Sequence, residues 1–274
     1  MEEPKRVLYV SSEVFPYLPE SDIATVGRFL PQGVQEAGKE IRSFMPRYGL
    51  VNERRNQLHE VIRLSGMNIV IGGSDHQLVI KVSSISSARM QVYFIDNEDY
   101  FRRKAVDRDA EGKYFEDNDE RAIFFARGVL ETVKKLRWKP DIVHCQGWIS
   151  HFVPLLLKKA YNNDPIFTNA KVILSLYNDG IDQKFGAGLA SKLVADGIAE
   201  EDVTLVAKEA DGTNLAKLAV RYADGVICGT ESIDDGLSAY VRECGVPVLP
   251  YTEIDTEEAS YIRKYNEFYD TIIG

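Results

Sequence analysis

Short apolar segments alternate along the chain with amphipathic ones, and this alternation constrains the fold more than any other feature. The apolar runs are not regularly interrupted by polar residues, which is typical of strands buried on both faces of a sheet. The intervening segments have helical periodicity, and several begin with Ser, Thr, Asp or Asn and end near Gly. Strands and helices in alternation predict an α/β fold with a Rossmann-like, doubly wound, mostly parallel sheet. The predicted strands are Arg6–Ser12, Gln91–Asp96, Asp141–Cys145, Lys171–Leu176, Gly225–Thr230 and Val246–Tyr251, and the predicted helices are Thr25–Lys39, Asp119–Arg137, Ile149–Tyr161, Thr213–Tyr222 and Ser232–Glu243.

Three regions depart from this alternation. His59–Val82 contains the pair Gly72-Gly73 between two β-rich runs, which predicts a β-hairpin insertion. Asp179–Thr204 is Gly-rich and aperiodic, so we expect irregular loops and short helices there. Thr256–Ile273 has one apolar stripe and predicts a C-terminal amphipathic helix that packs on the body of the protein or on a partner. We therefore divide the chain into a domain at 1–250 and a helical segment at 251–274.

Composition and charge exclude several classes of protein. The chain has 42 acidic and 33 basic residues, a formal net charge of -9, which argues against a nucleic-acid binder because phosphate neutralisation needs a basic face. No apolar run approaches the roughly 18 residues that span a bilayer. The first residues lack the basic head of a secretory signal. Three cysteines without a CxxC favour buried free thiols in a reducing cytoplasm. We expect a cytoplasmic protein without nucleic-acid or membrane partners.

Six stretches, in order, resemble one known family. They are VLYVSSEVFPYL, PRYG (Pro46–Gly49), YFIDNEDYF, YFEDNDERAIFFARGVLE, WKPDIVHCQGWISHFVPLLLKK and LAKLAVRYADGVICGTES. Together they are similar to the N-terminal half of glycogen and starch synthases, the ADP-glucose-dependent glucosyltransferases of glycosyltransferase family 5, over roughly residues 5 to 240. The resemblance implies a single GT-B N-terminal-type domain, an α-1,4-glucan acceptor, and a partner protein that carries the second GT-B domain.

The turn after the first strand departs from this family's pattern. The family has Lys-Thr-Gly-Gly-Leu-Ala-Asp where this chain has Pro19-Glu20-Ser21-Asp22-Ile23-Ala24-Thr25. Glycines at such a turn let the backbone approach a diphosphate, and the lysine supplies a cation. A carboxylate such as Asp22 at about 5 Å from a phosphate charge would cost on the order of 3 kcal/mol at an effective dielectric near 20. We therefore expect ADP-glucose to bind poorly.

Two further motifs that face the donor in the family are altered. Gln146-Gly147-Trp148-Ile149 aligns with the family's His-Asp-Trp-His, and Leu176-Tyr177-Asn178 with its Ile-His-Asn. Flat rings suit a sugar face, but Trp148 and Tyr177 equally suit a plug in the former donor pocket, which we favour. Glu13 either contacts a sugar hydroxyl or caps the first turn. The degenerate donor positions are Pro19, Glu20, Ser21, Asp22, Gln146, Gly147 and Tyr177, and the candidate sugar-binding residues are Glu13, Tyr48, Trp148 and Asn178.

Simpler structural explanations account for the remaining motifs. Asp117–Asp119 has the form of a metal-binding DxD, but acids at a helix start favour capping. Gly186–Ser191 resembles a dinucleotide loop without its third glycine, which indicates a turn. His144, inside an apolar strand, is predicted to be a core histidine. We assign no catalytic residue, metal ligand or cofactor.

Three hypotheses follow for function. The first is a glucan-binding or regulatory homologue of glycogen synthase, catalytically impaired alone and thus a pseudoenzyme. The second is a glucosyltransferase that becomes active with a partner supplying the second domain. The third is an interaction scaffold without a sugar ligand, which an apolar, aromatic patch at the old cleft would favour.

Overall fold

The computed structural model describes residues 3–195, 197–257 and 259–274. Two of the predicted segments, the irregular region and the last helix, each include one residue outside this description. The strands are β1 (Arg6–Ser11), β2 (Glu40–Pro46), β3 (His59–Glu60), β4 (Met67–Ile71), β5 (Ser74–Ile85), β6 (Met90–Asp96), β7 (Ile142–Gln146), β8 (Lys171–Leu176), β9 (Gly225–Cys228) and β10 (Val248–Leu249). The helices are α1 (Asp22–Glu36), α2 (Glu98–Phe101), α3 (Asn118–Leu136), α4 (Phe152–Lys159), α5 (Leu189–Ala195), α6 (Thr204–Lys208), α7 (Gly212–Arg221), α8 (Asp235–Cys244) and α9 (Ser260–Ile273), with 3-10 turns at Ser86–Ala88, Trp148–Ser150 and Glu200–Val203.

The strands form one large, mostly parallel sheet in the order β10-β9-β8-β7-β1-β2-β6-β5-β3. All neighbours from β10 to β6 are parallel, and β5 runs antiparallel to β6, β3 and β4. Side chains alternate between two apolar clusters: Val7 and Tyr9 of β1 belong to one, and Leu8 and Val10 to the other. Helices cover both faces, so the predicted Rossmann-like, doubly wound sheet is confirmed.

The predicted hairpin insertion is also confirmed. Strands β4 and β5 pair from Met67↔Leu78 to Ile71↔Ser74. Gly72 and Gly73 connect them with φ angles of +57° and +83°. Two consecutive positive φ angles suit a tight hairpin turn, and glycine adopts them without steric cost. The hairpin extends the parallel sheet beyond β6.

Several predicted boundaries were wrong by a few residues. Helix α1 starts at Asp22 rather than Thr25, because Ser21 is its N-cap and accepts a hydrogen bond from the Ala24 amide at 3.0 Å. The predicted helix Ile149–Tyr161 is divided into a 3-10 turn and α4. The last strand is reduced to Val248–Leu249, at the edge of the sheet.

The C-terminal helix packs on the sheet beside α1. Tyr261, Tyr265 and Tyr269 of α9 are buried in the cluster that contains Val7 and Ile142. Its stripe therefore covers the strands at the centre of the sheet. His144 in β7 is a core histidine, as predicted, with both ring nitrogens hydrogen-bonded, and burial lowers its pKa to about 3.

Two smaller predictions were only partly right. Asp117 is the N-cap residue of α3 and Asp119 lies in its first turn, but the Asp117 side chain makes no capping bond and pairs with Arg103 instead. The three cysteines are free, but only Cys145 is buried, while Cys244 at the end of α8 is exposed. Among the described residues, no helix combines the length and apolar content needed to cross a membrane. Within the same part of the chain, no group of three or more His, Cys, Asp or Glu side chains has the arrangement of a metal site.

Candidate functional site

The candidate site lies where β1 and β7 end side by side. The chain leaves β1 towards β2 and returns on the other side at β7, which is the topological switch point where doubly wound sheets bind ligands. The Ser12 amide donates to the Gln146 carbonyl oxygen at 2.9 Å, and the Ser11 hydroxyl donates to Gln146 Oε1 at 2.7 Å. Gln146 therefore holds the two strand ends together.

The turn after β1 places carboxylates at the N-terminus of α1. The Ser21 hydroxyl donates a hydrogen bond to Glu13 Oε2 at 2.7 Å while it accepts one from the Ala24 amide. Glu13 therefore supports the N-cap residue and does not itself cap the helix. Asp22 occupies the first turn, and the side chains of Pro19, Glu20, Ser21 and Asp22 are exposed. The positive end of the helix dipole is thus lined with acids rather than with a lysine.

Three carboxylates from distant loops converge beside this turn. The pKa of Asp179 is raised to about 6, chiefly by burial. The charges of Glu13 and Asp107 add to this rise, whereas a hydrogen bond from the Trp148 amide at 2.7 Å opposes it. The pKa of Glu13 is also raised, mainly by burial, as is that of Asp107. Like charges held together in a poorly solvated site disfavour a further anion.

The Gly147-Trp148 pair is packed tightly against the loop after β8. Gly147 has a φ of +82°, and a Cβ atom there would lie 2.7 Å from the Ser12 Cβ. The Trp148 ring covers Gly180, where an added Cβ would lie 2.7 Å from Cγ of the indole. Trp148 is only 4% exposed and its ring centre is 6.3 Å from that of Phe185. Little of the indole face is open to a sugar.

The other aromatic candidates are buried too. Tyr177 is 6% exposed, and its ring packs against Gly229 so closely that a Cβ atom added at Gly229 would lie 2.5 Å from the ring. Tyr48 is fully buried between Phe101 and Arg121. Their packing matches a filled pocket better than an open stacking platform.

Asn178 connects two loops at the same edge of the sheet. Its Nδ2 donates to the Ser232 carbonyl at 2.8 Å, and its Oδ1 accepts from the Asp234 amide at 3.1 Å. These bonds fix the loop after β9 beside the loop after β8. Asn178 is exposed, so its amide borders the crevice.

Some residues of the site were not found from the sequence. Asp107 and Asp179 complete the carboxylate group, and the positive charge of the fully buried Arg121 opposes the raised pKa of Asp107. Arg121 Nη1 donates to Asn118 Oδ1 at 2.6 Å, and Asn118 in turn donates to Gln183. Asp179 directly follows the aligned block that ends at Asn178, which was an available signal, whereas nothing around Asp107 marks it.

Comparison with known proteins identifies the family. Residues 6–234 match the model of the starch synthase catalytic domain. The chain belongs to this family. It is 36% identical over 245 residues to the glycogen synthase of Chlorobium luteolum, covering 88% of this chain and 49% of that protein. The glycogen synthase of Chlorobaculum tepidum is 33% identical over 251 residues, covering 88% of this chain and 51% of that protein.

A solved structure supports the same fold. The catalytic domain of starch synthase IV from Arabidopsis thaliana, bound to ADP and acarbose, superposes with a TM-score of 0.68 at 17% identity. The superposition covers 98% of this chain and 50% of that one. The family resemblance deduced from sequence motifs is confirmed by the family model and by the glycogen synthase relatives. This family member spans about half the length of the curated relatives it matches.

Proposed function

We propose that this glycogen/starch-synthase-like chain acts in α-1,4-glucan metabolism as a glucan-binding or regulatory protein that uses ADP-glucose poorly by itself. The observation that carries the proposal is the set of carboxylates at the switch point. Asp22 occupies the first turn of α1, and Glu13 is bonded to its N-cap Ser21. Phosphate groups normally favour this position, because free amides and the helix dipole point at it.

The local electrostatics support weak binding of a nucleotide diphosphate. The charges of Glu13 and Asp107 raise the pKa of Asp179, and that of Asp107 raises the pKa of Glu13, so a further negative charge beside Asp179 is disfavoured. The Ala24 amide is occupied by Ser21, which removes one donor from the helix end. An added phosphate would meet repulsion of several kcal/mol before any favourable contact, at the effective dielectric near a protein surface.

A neutral glucan is not subject to this repulsion. Carboxylate and amide oxygens accept hydrogen bonds from sugar hydroxyls, and Glu13 and Asn178 present such atoms at the crevice. The family assignment and the names of the curated relatives support an α-1,4-glucan as the ligand. We therefore expect maltooligosaccharides, rather than ADP-glucose, to bind the free chain.

Calorimetric titration of the purified chain with ADP-glucose and with maltoheptaose tests this function. We expect heat from maltoheptaose and none from ADP-glucose at micromolar concentrations. The variant Pro19→Lys/Asp22→Gly restores the family's charge and one of its glycines, so it should gain affinity for ADP-glucose. Glu36→Lys at the opposite, exposed end of α1 changes the net charge by the same amount and should not gain it. Micromolar binding of ADP-glucose to the unmodified chain would overturn the proposal.

A second candidate is glucosyl transfer in a cleft completed by another polypeptide with the second GT-B domain. Family membership supports it, together with matches that cover 88% of this chain but 49% of a glycogen synthase. It predicts glucose transfer from ADP-glucose to maltoheptaose only after mixing with a polypeptide that supplies the rest of a relative's length. If neither sugar binds and mixing restores no activity, the interaction-scaffold hypothesis is the one to pursue.

A further inference from the structure

A second cavity lies beside the sheet and shares no residue with the carboxylate group at the switch point. It has a volume of about 370 Å³. Its walls come from Pro16 and Tyr17 in the loop after β1, from Arg55–Gln57 and His59 after β2, and from Ser83–Ser86 at the end of β5. The lining thus includes serine, amide and basic side chains.

The charge of this cavity is opposite to that of the chain as a whole. Arg55 and His59 line it, and no Asp or Glu is present among the described residues that do so. The full chain, in contrast, has 42 acidic and 33 basic residues. The positive charge of Arg55, with no carboxylate beside it in the lining, favours an anion.

Tyr17 forms part of the cavity wall. It is 6% exposed, and its hydroxyl is buried beside the Ser83 hydroxyl. Burial raises the pKa of Tyr17, and the nearby Ser83 hydroxyl and Arg28 charge oppose this rise. Tyr17 therefore contributes a mainly apolar wall, and the polar groups of the cavity come from the other residues that line it.

Arg28 adds a positive charge behind Tyr17. It is 7% exposed, and its guanidinium donates to Gln32 Oε1 at 2.7 Å and to Ser87 Oγ at 3.4 Å. Among the described residues it forms no ion pair with a carboxylate; the acid that acts on it, Glu36, is exposed and bonded to Gln32. A buried arginine without a counter-ion raises the electrostatic potential around the cavity.

We propose that this cavity binds a small phosphate ester, such as a sugar phosphate. Arg55 and His59 would pair with the phosphate, since guanidinium and imidazole N–H groups suit its oxygens. The serine hydroxyls would contact the polyol portion, and the Tyr17 ring would pack against it. The site is separate from the crevice at the switch point, so the inference does not rest on the proposed function.

Titration with inorganic phosphate, glucose 1-phosphate and glucose tests this site. We expect both phosphates to bind, with glucose 1-phosphate the tighter, and glucose alone to bind here far more weakly. Arg55→Gln should raise the dissociation constant about tenfold or more, the typical effect of losing one charge-assisted bond. Arg54→Gln is the matched control, because the neighbouring Arg54 is exposed and does not line the cavity. It should change the constant less than twofold.

His59→Gln provides an independent test because it removes the second group that would pair with the phosphate. We expect this variant to weaken glucose 1-phosphate binding severalfold without loss of thermal stability, because His59 is exposed. The inference is wrong if neither phosphate binds at millimolar concentration, or if Arg54→Gln and Arg55→Gln weaken binding equally. Maltoheptaose binding should be unchanged in Arg55→Gln, so failure of this site and failure of the proposed function give different results.

Discussion

The Nδ1 atom of His144 lies 2.6 Å from the hydroxyl oxygen of Tyr269, and Nε2 of the same ring lies 2.7 Å from Ser175 Oγ. One ring nitrogen donates and the other accepts, so the buried imidazole is fully satisfied in its neutral form. The arrangement joins the C-terminal helix to two central strands. The last helix is thus attached to the sheet by a buried polar network as well as by apolar packing.

We predict that Tyr269→Phe lowers the free energy of unfolding by about 1–3 kcal/mol, because it leaves a buried His144 nitrogen without its partner. Urea denaturation followed by circular dichroism measures this loss. Tyr261→Phe on the same helix is the control, since the Tyr261 hydroxyl is buried without a partner within the described residues. Its removal should be neutral or slightly stabilising. Equal losses in the two variants would show that the network contributes nothing.

The same histidine makes stability depend on pH. The pKa of His144 is lowered by burial to about 3, below its ordinary value of 6.5, so the unfolded chain takes up this proton first. Stability from the neutral ring is complete above pH 6.5 and is lost as the pH falls towards 3. His144→Gln should therefore reduce the slope of unfolding free energy against pH by about 1.4 kcal/mol per pH unit in that window. Urea titrations at intervals between pH 4 and 6.5 would reveal an unchanged slope if the prediction is wrong.

His151 and Asp179 affect the same measurement in opposite directions. Burial lowers the pKa of His151 to about 4, so its stability contribution is also lost on acidification. The raised pKa of Asp179, about 6, acts in the other sense. The comparison of His144→Gln with the unmodified chain cancels both of these contributions, since they are common to the two proteins.

Local patterns predicted the fold because each depends on residues close in sequence. The apolar runs gave the parallel strands, Gly72-Gly73 gave the hairpin, and the stripe near the C-terminus gave α9. The carboxylate group could not be predicted in this way. Glu13, Asp107 and Asp179 lie in loops after three different strands, and only the order of strands in the sheet brings them together.

Residues in the aligned motifs were placed by the family pattern, but their packing was not. The sequence left two roles open for Trp148 and for Tyr177. Their burial depends on Gly180 and Gly229, which provide the space for the rings and lie in other loops. Side-chain exposure of this kind is a property of tertiary contacts, which periodicity does not encode.

We predict that Asp179→Asn becomes more stable relative to the unmodified chain as the pH rises from about 4 to 6. The folded protein holds the Asp179 proton up to a pKa of about 6, against 3.8 ordinarily, so ionisation costs stability across this window. An asparagine oxygen still accepts the Trp148 amide bond, which preserves the local structure. Thermal unfolding at pH 4 and pH 7 measures the difference.

The nearby Asp182 provides a control of opposite sign for this prediction. Its pKa is lowered, chiefly by a hydrogen bond from Tyr114, so its ionised form stabilises the fold. Asp182→Asn should therefore lose stability, relative to the unmodified chain, as the pH rises towards 3.8, and should change little between pH 4 and 7. If Asp182→Asn gains relative stability between pH 4 and 7 as Asp179→Asn does, burial of Asp179 does not determine its titration.

We predict that Gly147→Ala destabilises the protein by about 3 kcal/mol. The residue has a φ of +82° and a ψ of 153°, a region that costs a non-glycine residue about 1–3 kcal/mol, and its Cβ would lie 2.7 Å from the Ser12 Cβ, which adds the strain of overpacking. Denaturant unfolding gives the magnitude. Gly186→Ala should be within about 1 kcal/mol of neutral, because an added Cβ there meets nothing within 4 Å. The Ser12 hydroxyl is the atom nearest to the added Cβ, so Ser12→Ala should recover part of the stability that Gly147→Ala loses. If the effects of the two substitutions are strictly additive, this contact does not cause the loss.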